Sequence, residues 1–275
     1  MMATFTSILL VGCGNMSGAL LAGWLAGGVP PGRFTIVDPV LPTAPEGVAL
    51  LRELPDARFD TILLGVKPQV FGEVARGVEP LAGAEVTVIS MMAGVELASL
   101  AARFPRAAAH VRIMPNLAAA LGKSPVALAA VGADDAAKAA ITDFMAPLGT
   151  SEWIDESLFD LVTALAGSGP AFVYRFIDAL AAGAERLGMP PVEAGRLAIA
   201  MVEGASALAA SADVSPGELA RRVTSPGGTT AAGLQVMDAD GVFAGLIEAT
   251  LKAARDRGAE MAAAARAEQS GSPGN

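Results

Sequence analysis

The chain has 275 residues, of which 53% are hydrophobic and only 17% charged, with a formal net charge of −9 at pH 7. A sequence this apolar is not disordered, and an acidic balance without a basic stripe excludes nucleic acid as a partner. The single cysteine, Cys13, allows no internal disulfide, and the single histidine, His110, builds no metal centre, so no metal is expected.

Residues 1–32 carry no charged side chain, which raises a membrane segment as an option. A secretory signal would need a basic start, and Met1 to Ser7 has none. A spanning helix would need about 20 predominantly apolar residues. Gly12, Gly14 and Gly18 break the run, and Gly27, Gly28, Pro30 and Pro31 close it. The stretch reads as a buried strand over 7–11, a glycine turn, and a helix from Met16 to Ala26, in a soluble, cytoplasmic protein without a membrane partner.

Further apolar strands are expected at 33–38, 60–66, 85–90, 110–114 and 124–131, separated by Ala-rich helical segments. That alternation implies right-handed crossovers and a parallel sheet, with 124–131 allowed an antiparallel edge position. From about Ser151 onward only helices are expected. One covers 157–166 and another runs from Pro170 to Leu187, with Gly188 as its cap. A third covers 191–211, and Ser215-Pro216-Gly217-Glu218 is a capping box that starts a short fourth. Two more reach about Ala267. The domains read as 1–152, a dinucleotide-binding α/β domain; 153–267, a helical domain; and 268–275, a disordered polar tail.

Gly12-Cys13-Gly14-Asn15-Met16-Ser17 sits at the first strand–helix junction. The first glycine permits the tight turn, and the second lets backbone approach a pyrophosphate at the helix N-terminus. Asp38 ends the second strand, where a carboxylate bonds ribose hydroxyls and repels a 2′-phosphate; this leans toward NADH over NADPH. The competing reading of Asp38-Pro39 is a simple turn. Val66-Lys67-Pro68 after the third strand, Ala93-Gly94 after the fourth and Asn116 after the fifth sit at the same carboxyl edge. Lys67 could line the ribose or nicotinamide pocket, Ala93 and Gly94 could let the nicotinamide lie against backbone, and Asn116 could bond its carboxamide. In the helical half, Ser168-Gly169-Pro170 and Ser225-Pro226-Gly227-Gly228-Thr229-Thr230 offer free backbone N–H groups at helix starts, suited to a substrate carboxylate. Helix capping is their plainer reading. Cys13 reads as buried filler, His110 as a core or strand-edge histidine and Tyr174 as packing.

Together these segments resemble the pyrroline-5-carboxylate reductase family over about residues 6–266. The markers are Val11 to Met16, Val66 to Gln69, Ala93-Gly94-Val95, Arg112-Ile113-Met114-Pro115-Asn116, Gly167 to Ala171 and Ser225 to Thr230. The chain departs from the usual pattern at Ser17, Leu117-Ala118, Ala166 and Gly241-Val242-Phe243-Ala244, while the substrate loop is intact. The resemblance implies a Rossmann-type doubly wound sheet followed by an all-helical dimerisation domain. It implies reduction of the cyclic imine 1-pyrroline-5-carboxylate to L-proline, the last step of proline biosynthesis, with NADPH or NADH. It also implies that the Ser225–Gly228 backbone holds the substrate carboxylate and that Thr230 hydrogen-bonds the ring nitrogen. A homodimer is implied, with decamers built from dimers. Two other readings are a related imine or β-hydroxyacid reductase and a non-catalytic nucleotide-binding protein. A β-hydroxyacid reductase would carry a helical lysine, and none occurs between Lys138 and Lys252; a protein without catalysis would have an eroded substrate loop.

Overall fold

The computed structural model describes residues 5–270. Its chain falls into two compact units, one comprising the chain up to Gly167 together with the segment from Ala254 on, the other Ser168–Ala253.

The first unit is built on β1 (Ile8–Val11), β2 (Phe34–Val37), β3 (Ala49–Leu51), β4 (Thr61–Leu64), β5 (Thr87–Ser90), β6 (Ala109–Met114), β7 (Ser124–Val131) and β8 (Gly149–Trp153), in the order β3-β2-β1-β4-β5-β6-β7-β8. All neighbours pair in parallel except β6 with β7. The central strand shows why the run had to be apolar throughout. Ile8 and Leu10 face one core with Trp24, Phe34 and Leu63, while Leu9 and Val11 face a second with Ile62, Phe71 and Val88. With both faces covered, period-two alternation disappears from the sequence.

Three sequence expectations change here. β3 was not foreseen, because three half-exposed residues carry no apolar run. β8 was also not foreseen: Gly-Thr-Ser-Glu-Trp is a polar edge strand, half-buried at best. β7 does run antiparallel to β6, but β8 pairs on its far side, so it is not the edge.

Helices α1 (Asn15–Ala26), α2 (Phe71–Val78), α3 (Leu97–Arg103) and α4 (Asp135–Met145) link the strands. On one face Trp24 stacks on Phe144 (ring centroids 4.6 Å apart) and Phe34 (5.6 Å), and its Nε1–H donates to the Phe144 carbonyl at 2.8 Å. The polar end of the indole is therefore satisfied inside the core. After β8 come α5 (Phe159–Val162) and a π-helical turn, Thr163–Gly167. The last strand ends at Trp153, beside the expected 152/153 junction, yet the first unit continues to Gly167 and takes back the chain from Ala254.

The second unit contains α6 (Gly169–Arg186), α7 (Pro191–Ser211), α8 (Pro216–Arg222), α9 (Thr229–Asp238) and the start of α10 (Val242–Ser270). The Ser215 hydroxyl accepts the Glu218 N–H at 3.2 Å, as the capping box requires. Among the described residues of this unit only Ala194 and Ala198 are buried, while Val173, Phe176, Leu197 and Ile199 are exposed. Tyr174, read from sequence as packing, is 67% exposed. Helix α10 continues through Ser270, so the tail expected from 268 to be disordered begins as helix; residues 271–275 lie outside the described residues. Among the described residues no single helix is long and apolar enough to cross a membrane; α7 and α8 pass that test only as a pair bent by 115°.

Replacing Trp24 by alanine removes a stacked, fully buried side chain and strands the Phe144 carbonyl. A loss of about 3–5 kcal/mol is expected in chemical denaturation, and a loss under about 1 kcal/mol would show that the Trp24 cluster does not hold the sheet face.

Candidate functional site

Strand register builds the site. Val11 lies opposite Val37 and Leu64, and Val37 lies opposite Leu51. The residues next in sequence, Arg52, Asp38, Gly12 and Gly65, therefore form a row past the carboxyl ends of four adjacent strands, where open α/β sheets bind ligands. The row borders a cavity of about 580 Å³ that is also lined by Gly14, Val66 and Lys67. That volume is within the range of small-molecule and cofactor sites.

At the centre is the glycine loop. Gly12 has φ +83°, and a Cβ there would come within 2.8 Å of Val66 Cγ1. Gly14 caps α1 and supplies no side chain to its first N–H groups; no acidic residue occupies the first turn. Asn15 and Met16 thus open a helix whose positive end remains available to an anion. Ser17, at the third fingerprint position, is 1% exposed, and its hydroxyl has no protein partner. A Cβ on Gly65 would overlap that hydroxyl and approach the Gly12 carbonyl at 2.7 Å. The bulk usually excluded from the helix is here accommodated by the strand opposite.

Asp38 is buried and fully engaged by backbone. Its Oδ2 accepts the Cys13 N–H at 2.8 Å, and its Oδ1 accepts those of Val40 and Leu41, each at 2.9 Å. Burial pushes its carboxyl up, but these three donors and the nearby Arg52 guanidinium outweigh that and hold it below the ordinary carboxylate range. The turn reading of Asp38 is therefore present in the fold, together with an anchor for the glycine loop that sequence did not suggest. Burial, and then the Asp38 carboxylate, push the Cys13 thiol up, so it stays protonated at neutral pH. Arg52 Nη1 donates to the carbonyls of Asp38 at 2.8 Å and Leu41 at 2.6 Å. Lys67 stands on the other side of β1 and caps the short turn at Pro68.

Gly94 lines a different cavity, of about 260 Å³, with Glu96, Arg112, Glu156 and Phe159; Ala93 precedes it in the loop after β5. Arg112 is buried, pairs with Glu156 at 2.7 Å and lies over the Phe159 ring at 4.4 Å. Glu156 also accepts the Leu97 N–H at 2.7 Å, so one carboxylate joins β6, α3 and the turn before α5. Asn116 is 6% exposed: Oδ1 accepts the Ala118 N–H at 2.9 Å and Nδ2 donates to the Ala166 carbonyl at 3.0 Å. Its side chain thus caps the turn Leu117–Leu121 and pins the π-helical segment. His110 is buried in β6 with Nε2 at 2.9 Å from the Phe104 carbonyl.

Ser168, Gly169 and Ser225–Thr230 belong to the second unit. Gly227 has φ +68°, and the Gly228 N–H donates to the Ser225 carbonyl at 3.0 Å. Gly228 caps α9 without a side chain, with Thr229 and Thr230 exposed in the first turn. Ser168 precedes α6, and its hydroxyl makes no cap bond. Both segments present uncapped helix starts. Sequence reasoning missed Arg52 and the Ser17–Gly65 complement. Arg52 follows directly on Ala49-Leu50-Leu51, and recognising β3 would have placed it beside Asp38.

Comparison with known proteins agrees with this architecture. Residues 156–261 match the model for pyrroline-5-carboxylate reductase dimerisation. A pyrroline-5-carboxylate reductase of Pseudomonas aeruginosa is 35% identical over 272 residues, covering 93% of this chain and 96% of that protein. The structure of a pyrroline-5-carboxylate reductase from Coxiella burnetii superposes with a TM-score of 0.84 at 28% identity, covering 94% and 98% of the two chains. A Plasmodium falciparum pyrroline carboxylate reductase with NADP bound shares the fold, with a TM-score of 0.78 at 22% identity over 95% of this chain and all of that one. The chain belongs to the pyrroline-5-carboxylate reductase family.

The lowered Asp38 carboxyl makes a pH test. Its contribution to stability is present above the usual carboxylate range and lost as pH falls through the folded-state value. Asp38→Asn is expected to be less stable than the parent protein at pH 7, with the gap closing below about pH 4. Thermal denaturation across pH measures this, and a gap independent of pH would remove the charge from the anchor.

Proposed function

We propose that this chain is a pyrroline-5-carboxylate reductase, an oxidoreductase that reduces the C=N bond of 1-pyrroline-5-carboxylate to give L-proline at the expense of NADH or NADPH. One observation carries the reading: the likeness to a named reductase extends over 93% of the chain, so it spans most of the first unit and reaches the Ser225–Thr230 loop of the second.

The glycine loop fits a dinucleotide. Gly12 and Gly14 leave room for a pyrophosphate, which the N–H groups opening α1 at Asn15 and Met16 would hold. Asp38, with Val66, Lys67 and Pro68, would border the ribose units, and Ala93, Gly94 and Asn116 the nicotinamide side. Bound there, the reduced nicotinamide supplies the hydride for the imine carbon. A carboxylate at this place opposes a 2′-phosphate and so leans toward NADH, but both Asp38 oxygens are engaged by backbone N–H groups, which leaves NADPH open as well.

For the substrate, the backbone N–H groups of Ser225 and Gly227, with Thr229, would receive the carboxylate at the uncapped start of α9, while the Gly228 N–H closes the turn on the Ser225 carbonyl. Ser168 and Gly169 offer a second set at the start of α6. Thr230 is the catalytic residue of this reading: its hydroxyl would hold the ring nitrogen, which gains a proton as the carbon gains hydride. Binding an anion through backbone donors accords with the chain's net charge of −9. The helical unit, with two buried alanines, would find its core against a second copy. We infer a homodimer, able to assemble further into decamers, acting in the cytoplasm.

Incubation with 1-pyrroline-5-carboxylate is expected to oxidise at least one of NADH and NADPH; oxidation of neither refutes the reading. Thr230→Ala should lower kcat/KM for the imine about tenfold or more, the worth of one lost hydrogen bond, with cofactor affinity held within about twofold by the same scale. Equal activity would remove Thr230 from the mechanism.

A further inference from the structure

We propose that Arg52 is the residue through which this chain accepts the 2′-phosphate of NADPH, so that cofactor choice is a contest between Arg52 and Asp38 rather than a property of Asp38 alone. The inference rests on the dinucleotide reading above and adds to it the residue that sets specificity.

Position comes first. With the pyrophosphate at the β1 turn, the adenosine ribose lies at the end of the adjacent strand, β2. Strand order runs β3-β2-β1-β4, so Arg52 borders β2 on the outer side, and Lys67 stands beyond β1 on the opposite side. Both cations line the same cavity with Asp38, Glu53 and Glu73. Arg52 is the cation next to the ribose end.

Orientation comes second. The two Nη1 hydrogens of Arg52 are used on the carbonyls of Asp38 and Leu41. Those bonds fix the plane of the guanidinium and leave Nε and Nη2 as donors. A planar pair of N–H groups of this kind matches two phosphate oxygens. The carbonyls thus orient the head group before any ligand arrives, which lowers the ordering cost of a flexible side chain.

The charge balance comes third. The usual expectation, that a carboxylate after β2 rejects a 2′-phosphate, assumes carboxylate oxygens turned to the ribose. Both oxygens of Asp38 are bonded to backbone N–H groups of Cys13, Val40 and Leu41. The Asp38 charge remains, but it is partly neutralised by those donors and faced by an exposed guanidinium.

Direct binding separates this proposal from the catalytic one. On the full chain, 2′,5′-ADP and ADP serve as probes of the adenosine half, by calorimetry, with no turnover required. The unaltered protein is expected to bind 2′,5′-ADP at least as tightly as ADP. Arg52→Gln should weaken 2′,5′-ADP about tenfold or more relative to ADP, and Arg52→Lys should restore part of that ratio. The 2′,5′-ADP advantage should also shrink as salt rises. In turnover, the NADPH to NADH ratio of kcat/KM should fall in parallel. Equal weakening of both probes would assign Arg52 to holding the Asp38–Leu41 turn and overturn the proposal. So would a discrimination that follows Lys67→Ala instead. Failure of the unaltered chain to bind either probe would overturn the dinucleotide reading with it, whereas 2′,5′-ADP binding indifferent to Arg52, with ADP still bound, overturns this inference alone.

Discussion

The site depends on four parallel strands ending level with one another. Because Val11, Val37, Leu51 and Leu64 are in register, the next residue of each strand lies in one row, and that row is the mouth of the larger cavity. A shift of one residue in any pairing would send the side chains of each core into the other, where they do not fit the packing. The register is thus enforced by the two cores rather than by the site. Ile8 and Leu10 on one side, and Leu9 and Val11 on the other, leave β1 no alternative alignment. The chemistry at the strand ends inherits a precision that it does not itself stabilise.

Asp38 then converts register into a rigid loop. A glycine turn is permissive, and permissive backbone needs something to hold it. The bond from the Cys13 N–H to Asp38 supplies this across 25 positions of sequence, joining the turn after β1 to the end of β2. The Arg112–Glu156 pair plays a comparable part further along the sheet. There a buried cation is kept acceptable by a carboxylate and an aromatic face, and the carboxylate also receives the start of α3. In both places a charged group is buried because it organises backbone, not because ion pairs are strongly stabilising in themselves.

The sequence carried the strands with continuous apolar runs and the glycine turn between β1 and α1, since sterics and burial leave local marks at those places. β3 and β8 escaped because short or polar edge strands lack those marks, and their identity depends on a neighbour already being present. Arg52 escaped with β3: its relevance comes from pairing, which is non-local. The helix starts at Ser168 and Gly228 were legible because the glycines and prolines that break the chain there are local marks. Asn116 was visible as a residue at a strand end, but its backbone partners at Ala118 and Ala166 were not, because the second lies fifty positions away.

Ser17 and Gly65 show how a fold can keep a shape while changing which chain provides it. The close approach of α1 to β4 requires a fixed small volume, and nothing in packing requires that the helix be the one to give way. Here the strand contributes the missing atoms and the helix keeps its hydroxyl. Substitutions at these two positions are therefore not independent in what they allow: contraction of residue 17 removes one obstacle to a Cβ at residue 65, and the Gly12 carbonyl remains the other. The order in which such changes accumulate along a lineage is constrained as much as their identity.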